Sequence, residues 1–351
     1  KYIKNAINNG SIAIIVEKIP DNLAVGITYV QVHKSNIALG IIASNFYGNP
    51  AKRIKLIGVT GTNGKTTIVN LLYQLFTKLG IRVGMISTIE NRVLDQIFPS
   101  THTTPDPLQI NNLLNAMVEK GCEYCFMEVS SHALDQGRVY GINFAGGIFT
   151  NLSHDHLDYH NTFSEYRDVK KTFFDSLDKY AFALVNKDDK NSLKMLESTK
   201  AKKLYYSLKS FSDYRCKVIE NQFEGMLLKI NNVDVWVKLI GEFNAYNILS
   251  VYSVANQFGF EDSDVFIALS MLNPVEGRFQ VVKNASGVTG VVDYAHTDDA
   301  LKNVLKTINS IRNNVASLIT IVGCGGDRDK SKRSLMTKSA CDLSTQVIVT
   351  S

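Results

Sequence analysis

The sequence has one tryptophan, six prolines and five cysteines in 351 residues, and it has no long apolar run. No run approaches the roughly 18 to 20 continuous apolar residues that a membrane-spanning helix needs. The opening "KYIKNAINNG" likewise lacks the apolar core of a signal peptide. Membrane insertion is therefore not expected, and a cytoplasmic protein is. Cys122, Cys125, Cys216, Cys324 and Cys341 are odd in number and irregularly spaced, which argues against a disulfide scaffold and for a reducing compartment. The pair in "CEYC" has no second pair to complete a zinc site, and it lies in an apolar run that reads as a buried strand. The net charge of +5 contains no block of five like charges, so a nucleic-acid arm or polybasic anchor has little support. Acidic small molecules remain suitable partners. There is no initial Met, no internal repeat and no low-complexity segment. The chain opens within an amphipathic helix and closes on a strand, "TQVIVTS", where an α/β protein places a functional loop; both ends are expected to be truncated.

What is present is the usage of an ordinary globular protein, 45% apolar and 20% charged, with length for two or three domains. Strands alternate with helices, the signature of α/β domains with largely parallel sheets. "IKLIGV", "YCFMEV", "GGIFTNL" and "AFALVN" read as strands. "TTIVNLLYQLFTKLG" reads as a helix closed by Gly80, and "PDPLQINNLLNAMVEKG" as a helix capped by Asp106 and ended at Gly121. From Asp213 to Leu239 the pattern is strand-rich, and from Asn244 two helices lead to "NPVEGR". A boundary is expected there, because "FQVV", "TGVVDYAH", "LITIVG" and "QVIVTS" begin a fresh strand-helix-strand series.

Two stretches carry chemistry. "GVTGTNGKTT", Gly58 to Thr67, follows a strand and opens a helix, the context in which backbone N–H groups and a helix N-terminus cradle phosphates. Val59 occupies the place of the first glycine in the strict phosphate-loop expression, yet Lys65 can reach β- and γ-phosphates and Thr66 can offer a hydroxyl to Mg²⁺. The second stretch, "HDHLDYH" from His154 to His160, is one position away from the H-x-H-x-D-H pattern of dinuclear metal hydrolases. Its imidazoles and carboxylates could bind zinc, and spacing alone leaves that alternative open.

"GTNGKTT", "TTPDP" (103–107), "MEVSSHAL" (127–134), "TNLSHDHLDYH" (150–160), "GEFNAYN" (241–247), "EGR" (276–278), "DYAHT" (293–297) and "GCGGDRDKSKR" (323–333) occur in an order that resembles the Mur ligases. The match runs from about Ala51 to the last residue and is nearest to the MurE branch. The resemblance implies a three-domain α/β architecture: residues 1–50 as the remainder of an N-terminal UDP-substrate domain, 51–274 as a central parallel-sheet P-loop ATPase domain, and 275–351 as the start of a Rossmann-like C-terminal domain. It implies ATP-dependent addition of the third amino acid to UDP-N-acetylmuramoyl-L-alanyl-D-glutamate through an acyl phosphate, in peptidoglycan precursor synthesis.

By the same resemblance, Gly61, Thr62, Asn63, Gly64, Lys65, Thr66 and Thr67 form the ATP loop. Asn244 and Asn247 lie beside the adenine, and Arg278 and Asp293 reach ATP from the C-terminal side. Thr66, Glu128, His156 and Lys170, the last as a carbamate, would serve two Mg²⁺ ions; imidazole is an unusual ligand for so hard a cation, so His156 rests on the resemblance alone. Lys65, Lys170, Glu128 and His156 are the expected catalytic set. Thr103, Thr104, Ser130, Gln136 and Arg138 match residues that hold the UDP-muramoyl dipeptide. His154 and His160 become polar loop residues, with Asp155 and Asp158 behind the metal ligand. Read without the family, Ser130 and Thr103 are equally caps or turn residues, Asn244 a helix start, His296 structural, and "KK" at 170–171 an exposed helix face.

Asp298 replaces the proline usual after "DYAHT", a mild change because both suit a first helical turn. Gln280 stands where Glu is more common. The amino-acid-selecting loop would lie beyond Ser351, so meso-diaminopimelate is favoured over L-lysine only by its breadth of use. A monomer is expected. A sister ligase such as MurF or a folylpolyglutamate synthase is disfavoured by "MEVSSHAL" and "TTPDP". A metal-dependent hydrolase leaves the phosphate loop without a purpose, and a nucleotide-binding module without catalysis would survive loss of Lys65 except in binding.

Overall fold

A computed structural model of the chain describes residues 2–155, 159–160, 162–285, 287–312, 315–324 and 331–350. A short helix α1 (Ile3–Asn8) leads to the parallel pair β1 (Ala13–Val16) and β2 (Thr28–Gln31), and helix α2 (Ser35–Phe46) follows. The chain then enters a large sheet through β3 (Lys55–Thr60), α3 (Lys65–Lys78), β4 (Val83–Ile86), β5 (Glu90–Val93) and β6 (Gln96–Pro99). It continues through α4 (Pro107–Glu119), β7 (Tyr124–Glu128), α5 (Ser131–Asp135), β8 (Gly146–Phe149), α6 (Phe163–Asp175) and β9 (Phe182–Asn186). Next come α7 (Ser192–Met195), β10 (Lys202–Ser207), β11 (Tyr214–Gln222), β12 (Gly225–Ile230), β13 (Val233–Val237), α8 (Glu242–Gln257) and α9 (Asp262–Ser270).

The eleven strands of this sheet run in the order β13-β12-β11-β10-β9-β8-β3-β7-β4-β5-β6. From β11 across to β4 neighbours are parallel, and antiparallel pairs extend both edges. The parallel centre is apolar on both faces, as a sheet covered by helices on each side requires. Alternate residues divide between two cores: Ile57, Val59, Tyr124 and Phe126 join α3, α8 and α9, whereas Leu56, Cys125 and Met127 join α4, α6 and α7. Cys122 and Cys125 are buried free thiols, the packing role read from "CEYC". Burial raises the pKa of the Cys125 thiol well above its ordinary value, with Cys122 adding to the effect.

Helix boundaries follow local chemistry. Asp106 caps α4, its Oδ1 accepting from the backbone N–H groups of Leu108 (2.9 Å) and Gln109 (3.1 Å), while Gly80 and Gly121 take positive φ just beyond α3 and α4. Asp106→Ala should cost about 1 kcal/mol of stability, read as a lower denaturant midpoint at unchanged slope. Helix α8 starts at Glu242 with Gly241 before it, so Asn244 lies inside the first turn and is not its start.

The C-terminal segment departs from the expected series at one point. β14 (Gln280–Lys283) and β15 (Thr289–Val292) form an antiparallel hairpin with no helix between them; the five residues between them are too few for the crossover a parallel pair requires. Helix α10 (Asp298–Ile311), β16 (Ile319–Gly323), α11 (Ser331–Leu343) and β17 (Gln346–Thr350) then give a parallel pair with helices. Asp298 does occupy the first turn of α10, with Thr297 as its cap. Gln280 keeps hydrogen-bonding reach, its Oε1 accepting from the Gly277 backbone N–H. Among the described residues no helix is long and apolar enough to cross a membrane.

Candidate active site

Parallel strands place their C-terminal ends on one edge of the sheet, and the loops leaving β3, β7 and β8 meet there. β3 delivers the loop 61–64. Gly61 has φ +144°, and a Cβ there would meet Thr150 Oγ1 at 2.0 Å; at Gly64, φ +89°, it would meet Asn247 Oδ1 at 2.8 Å. Both positions therefore require glycine. Asn151 holds the loop from the β8 side, its Oδ1 accepting from the Asn63 N–H (3.0 Å) and its Nδ2 donating to the Asn63 carbonyl (3.2 Å). Thr62 Oγ1 lies 3.1 Å from the Tyr166 hydroxyl of α6, and Thr67 is buried in the first turn of α3.

Two ammonium groups converge on this loop. Lys65 Nζ donates to the carbonyls of Gly61 (2.9 Å) and Thr62 (2.7 Å), and Lys170 Nζ donates to the same Gly61 carbonyl at 3.0 Å. Lys170 is 1% exposed, so the exposed-face reading of "KK" fails for it, while Lys171 is partly buried and pairs with Asp175. Burial lowers the pKa of Lys170 well below its ordinary value; Lys65 lowers it further, and Asp155 opposes. Burial also lowers the pKa of Lys65, against the pull of Glu128 and Asp155. Such a pit suits phosphate oxygens, and a buried lysine held toward its neutral form suits reaction with carbon dioxide.

Beside it lie hard oxygen donors. Thr66 Oγ1 donates to Glu128 Oε2 at 3.1 Å, and Glu128 Oε1 accepts from the Thr88 backbone N–H at 2.7 Å. A hydroxyl and a fully buried carboxylate are the donor set a magnesium ion takes. Arg278 comes from the C-terminal segment and donates from Nη2 to Thr66 Oγ1 at 3.0 Å, with its guanidinium 4.7 Å from the Tyr294 ring centroid. Asp293 accepts from the Phe279 backbone N–H (2.7 Å) and holds that residue at φ +48°. Burial raises the pKa of Asp293, while the Phe279 N–H and Arg278 lower it.

His156 and Asp158 lie outside the described residues. His154 stacks on Phe163, and His160 is buried against Tyr166 and Tyr159; His160 is a loop residue as expected, but a buried one. Asp155 is buried, with His296 Nε2 at 3.7 Å. Among the described residues no group of three or more His, Cys, Asp or Glu could hold a metal ion.

One cavity of about 1590 Å³ joins these groups. Lys65, Thr66, Glu128, Lys170 and Arg278 line its centre. Asn244 and Asn247 line a second region, where Asn247 Nδ2 donates to Asn244 Oδ1 (2.9 Å) and Asn244 Nδ2 to the Ile240 carbonyl. Thr103, Thr104, Ser130 and Arg138 line a third. There Thr104 Oγ1 donates to the Glu128 carbonyl at 2.8 Å, Thr103 Oγ1 accepts from Thr88 Oγ1, and Arg138 Nη1 donates to the Thr104 carbonyl at 2.8 Å. Ser130 also caps α5, accepting from the Ala133 N–H, so both readings of it hold together. Gln136 does not line the cavity; it sits behind Arg138. Sequence reasoning missed Thr88, Asn151 and Tyr166, whose contacts cross separate elements. It also missed Asp299 of α10, which accepts from Asn63 Nδ2 at 3.3 Å and lines the cavity wall.

The sequence pattern of the Mur ligase middle domain matches residues 59–255, and that of the Mur ligase glutamate ligase domain matches residues 277–351. A UDP-N-acetylmuramoyl-L-alanyl-D-glutamate--2,6-diaminopimelate ligase of Bacteroides thetaiotaomicron is 53% identical over 350 residues, covering 100% of this chain and 73% of that protein. The ligase of the same name from Cytophaga hutchinsonii is 48% identical over 351 residues, covering 100% of this chain and 72% of its own length. A solved structure of a ligase of that name superposes with a TM-score of 0.76 at 33% identity, covering 99% of this chain and 72% of that one. Mycobacterium tuberculosis folylpolyglutamate synthase with ADP and AMPPCP shares the fold, with a TM-score of 0.72 at 17% identity over 90% of this chain and 78% of that one. The chain belongs to the Mur ligase family, ATP-dependent enzymes that form a carbon–nitrogen bond between an acid and an amino acid.

Proposed function

We propose that this chain adds meso-diaminopimelate to UDP-N-acetylmuramoyl-L-alanyl-D-glutamate, in the division 1–50, 51–274 and 275–351 set out above. The observation that carries the reading is the meeting of Lys65, Lys170, Thr66, Glu128 and Arg278 in one cavity, in a chain about half identical to relatives bearing that name. The substrate carboxylate attacks the γ-phosphorus of ATP, a P–O bond forms as the bond to the β–γ bridging oxygen breaks, and ADP leaves. The amine nitrogen then bonds to the acyl carbon, phosphate departs, and the amine releases its proton.

Lys65 and the backbone N–H groups of Gly61 to Thr67 neutralise and orient the phosphates. Thr66 and Glu128, with His156 and a carbamate on Lys170, would hold two Mg²⁺ ions, which supply charge stabilisation to the transferring phosphoryl group. Asn244 and Asn247 receive the adenine, and Arg278 and Asp293 approach from the C-terminal segment. Thr103, Thr104, Ser130 and Arg138 receive the acidic dipeptide. The unpaired thiols agree with a reducing compartment, and we place the enzyme in the cytoplasm.

The amine is tested by incubating the protein with ATP, magnesium, the UDP-muramoyl dipeptide and either meso-diaminopimelate or L-lysine, then weighing the product. A tripeptide mass with diaminopimelate supports the assignment; one formed with L-lysine alone overturns it.

A further inference from the structure

Gln136 was matched to a substrate-binding position, yet it lies outside the cavity lining, and the reason identifies another residue. Arg138 is a donor only. Its Nε (2.9 Å) and Nη2 (2.6 Å) both donate to Gln136 Oε1, which fixes the orientation of that amide. Gln136 Nε2 therefore faces the Tyr159 hydroxyl, at 3.4 Å, and donates to it. Having accepted there, the Tyr159 hydroxyl donates to Asp135 Oδ2 at 2.6 Å. The bonds run one way, from Arg138 through Gln136 and Tyr159 to the Asp135 carboxylate, with every donor assigned by chemistry. On its other side Arg138 Nη1 donates to the Thr104 carbonyl. A guanidinium has five N–H groups; with these three engaged, one N–H remains on each Nη, the pair that a carboxylate or phosphate accepts.

We propose that Tyr159 is a positioning residue for the acidic substrate: anchored on Asp135 and acting through Gln136, it sets the angle at which Arg138 presents its remaining donors to the cavity. The proposal rests on the reading of Arg138 as a substrate contact. Tyr159 itself lines no part of the cavity and packs against His132, ring centroids 4.2 Å apart. Its hydrogen bond to Asp135 raises the phenol's pKa, with burial adding to this, so the hydroxyl keeps its proton through the working range.

Tyr159→Phe keeps the ring and removes the relay. The expected result is a KM for the UDP-muramoyl dipeptide raised about five- to tenfold, the worth of one hydrogen bond, with kcat, KM for ATP and the unfolding midpoint unchanged. In an Arg138→Ala background the same substitution should add nothing, because its effect passes through the arginine. Asp135→Asn, which weakens the anchor at the far end of the relay, should reproduce the rise and serves if Tyr159→Phe does not fold. An equal rise with and without Arg138, or no rise in either variant, overturns the proposal. If Arg138→Ala itself leaves the dipeptide KM unchanged, the assignment of Arg138 as substrate contact falls, and the positioning role with it.

Discussion

Lys65→Ala is expected to lower kcat by about a thousandfold, the scale on which a donor to developing charge matters, with the protein still folded. The ammonium reaches the Gly61 and Thr62 carbonyls from the first residue of α3, within the loop proposed to receive the phosphates. Truncation removes that charge and leaves the glycines, Thr66 and Asn151 in place. Parallel measurement of ATP binding and turnover separates the two roles. A variant that binds ATP more weakly but turns over at the original rate would show that Lys65 has no catalytic part.

The second large effect belongs to Lys170. Lys170→Ala should abolish turnover, and millimolar formate or acetate should restore part of it by standing in for the carboxylate of the proposed carbamate. Depleting bicarbonate should slow the native enzyme and leave the carboxylate-rescued variant unaffected. In bicarbonate-depleted protein, where the amine is free, Lys170 also has a pH signature. Its folded pKa lies below the ordinary 10.5, so between the two values the unfolded chain carries the proton and the folded chain does not. Stability attributable to this lysine therefore rises with pH across that window. Lys170→Met should remove the slope while leaving activity absent. Full activity in Lys170→Ala without any added carboxylate would end the role given to this residue.

The phosphate loop was legible because its chemistry is local: glycines at required backbone angles, a lysine and a threonine at the start of a helix. The caps at Asp106 and Gly121 were legible for the same reason. Lys170 shows where local reading stops. Without the resemblance, a lysine pair on an amphipathic helix reads as solvated, and only packing of α6, whose Phe173 lies against Gly58 of β3 and Gly147 of β8, buries Lys170 fully and Lys171 in part. Gln136 was named by its match to the family's motif; the fold adds that its Oε1 accepts twice from Arg138, a contact that sequence does not record. The hairpin of β14 and β15 was misread because strand-like composition does not record the direction of pairing.

The most direct measurement of the central claim is phosphate release from ATP with magnesium, the UDP-muramoyl dipeptide and meso-diaminopimelate, each omitted in turn. Release that requires all four components, and matches tripeptide formed mole for mole, is the predicted result. Release that continues without the dipeptide and the amine, or zinc-supported hydrolysis of an ester with no use of ATP, would contradict the account.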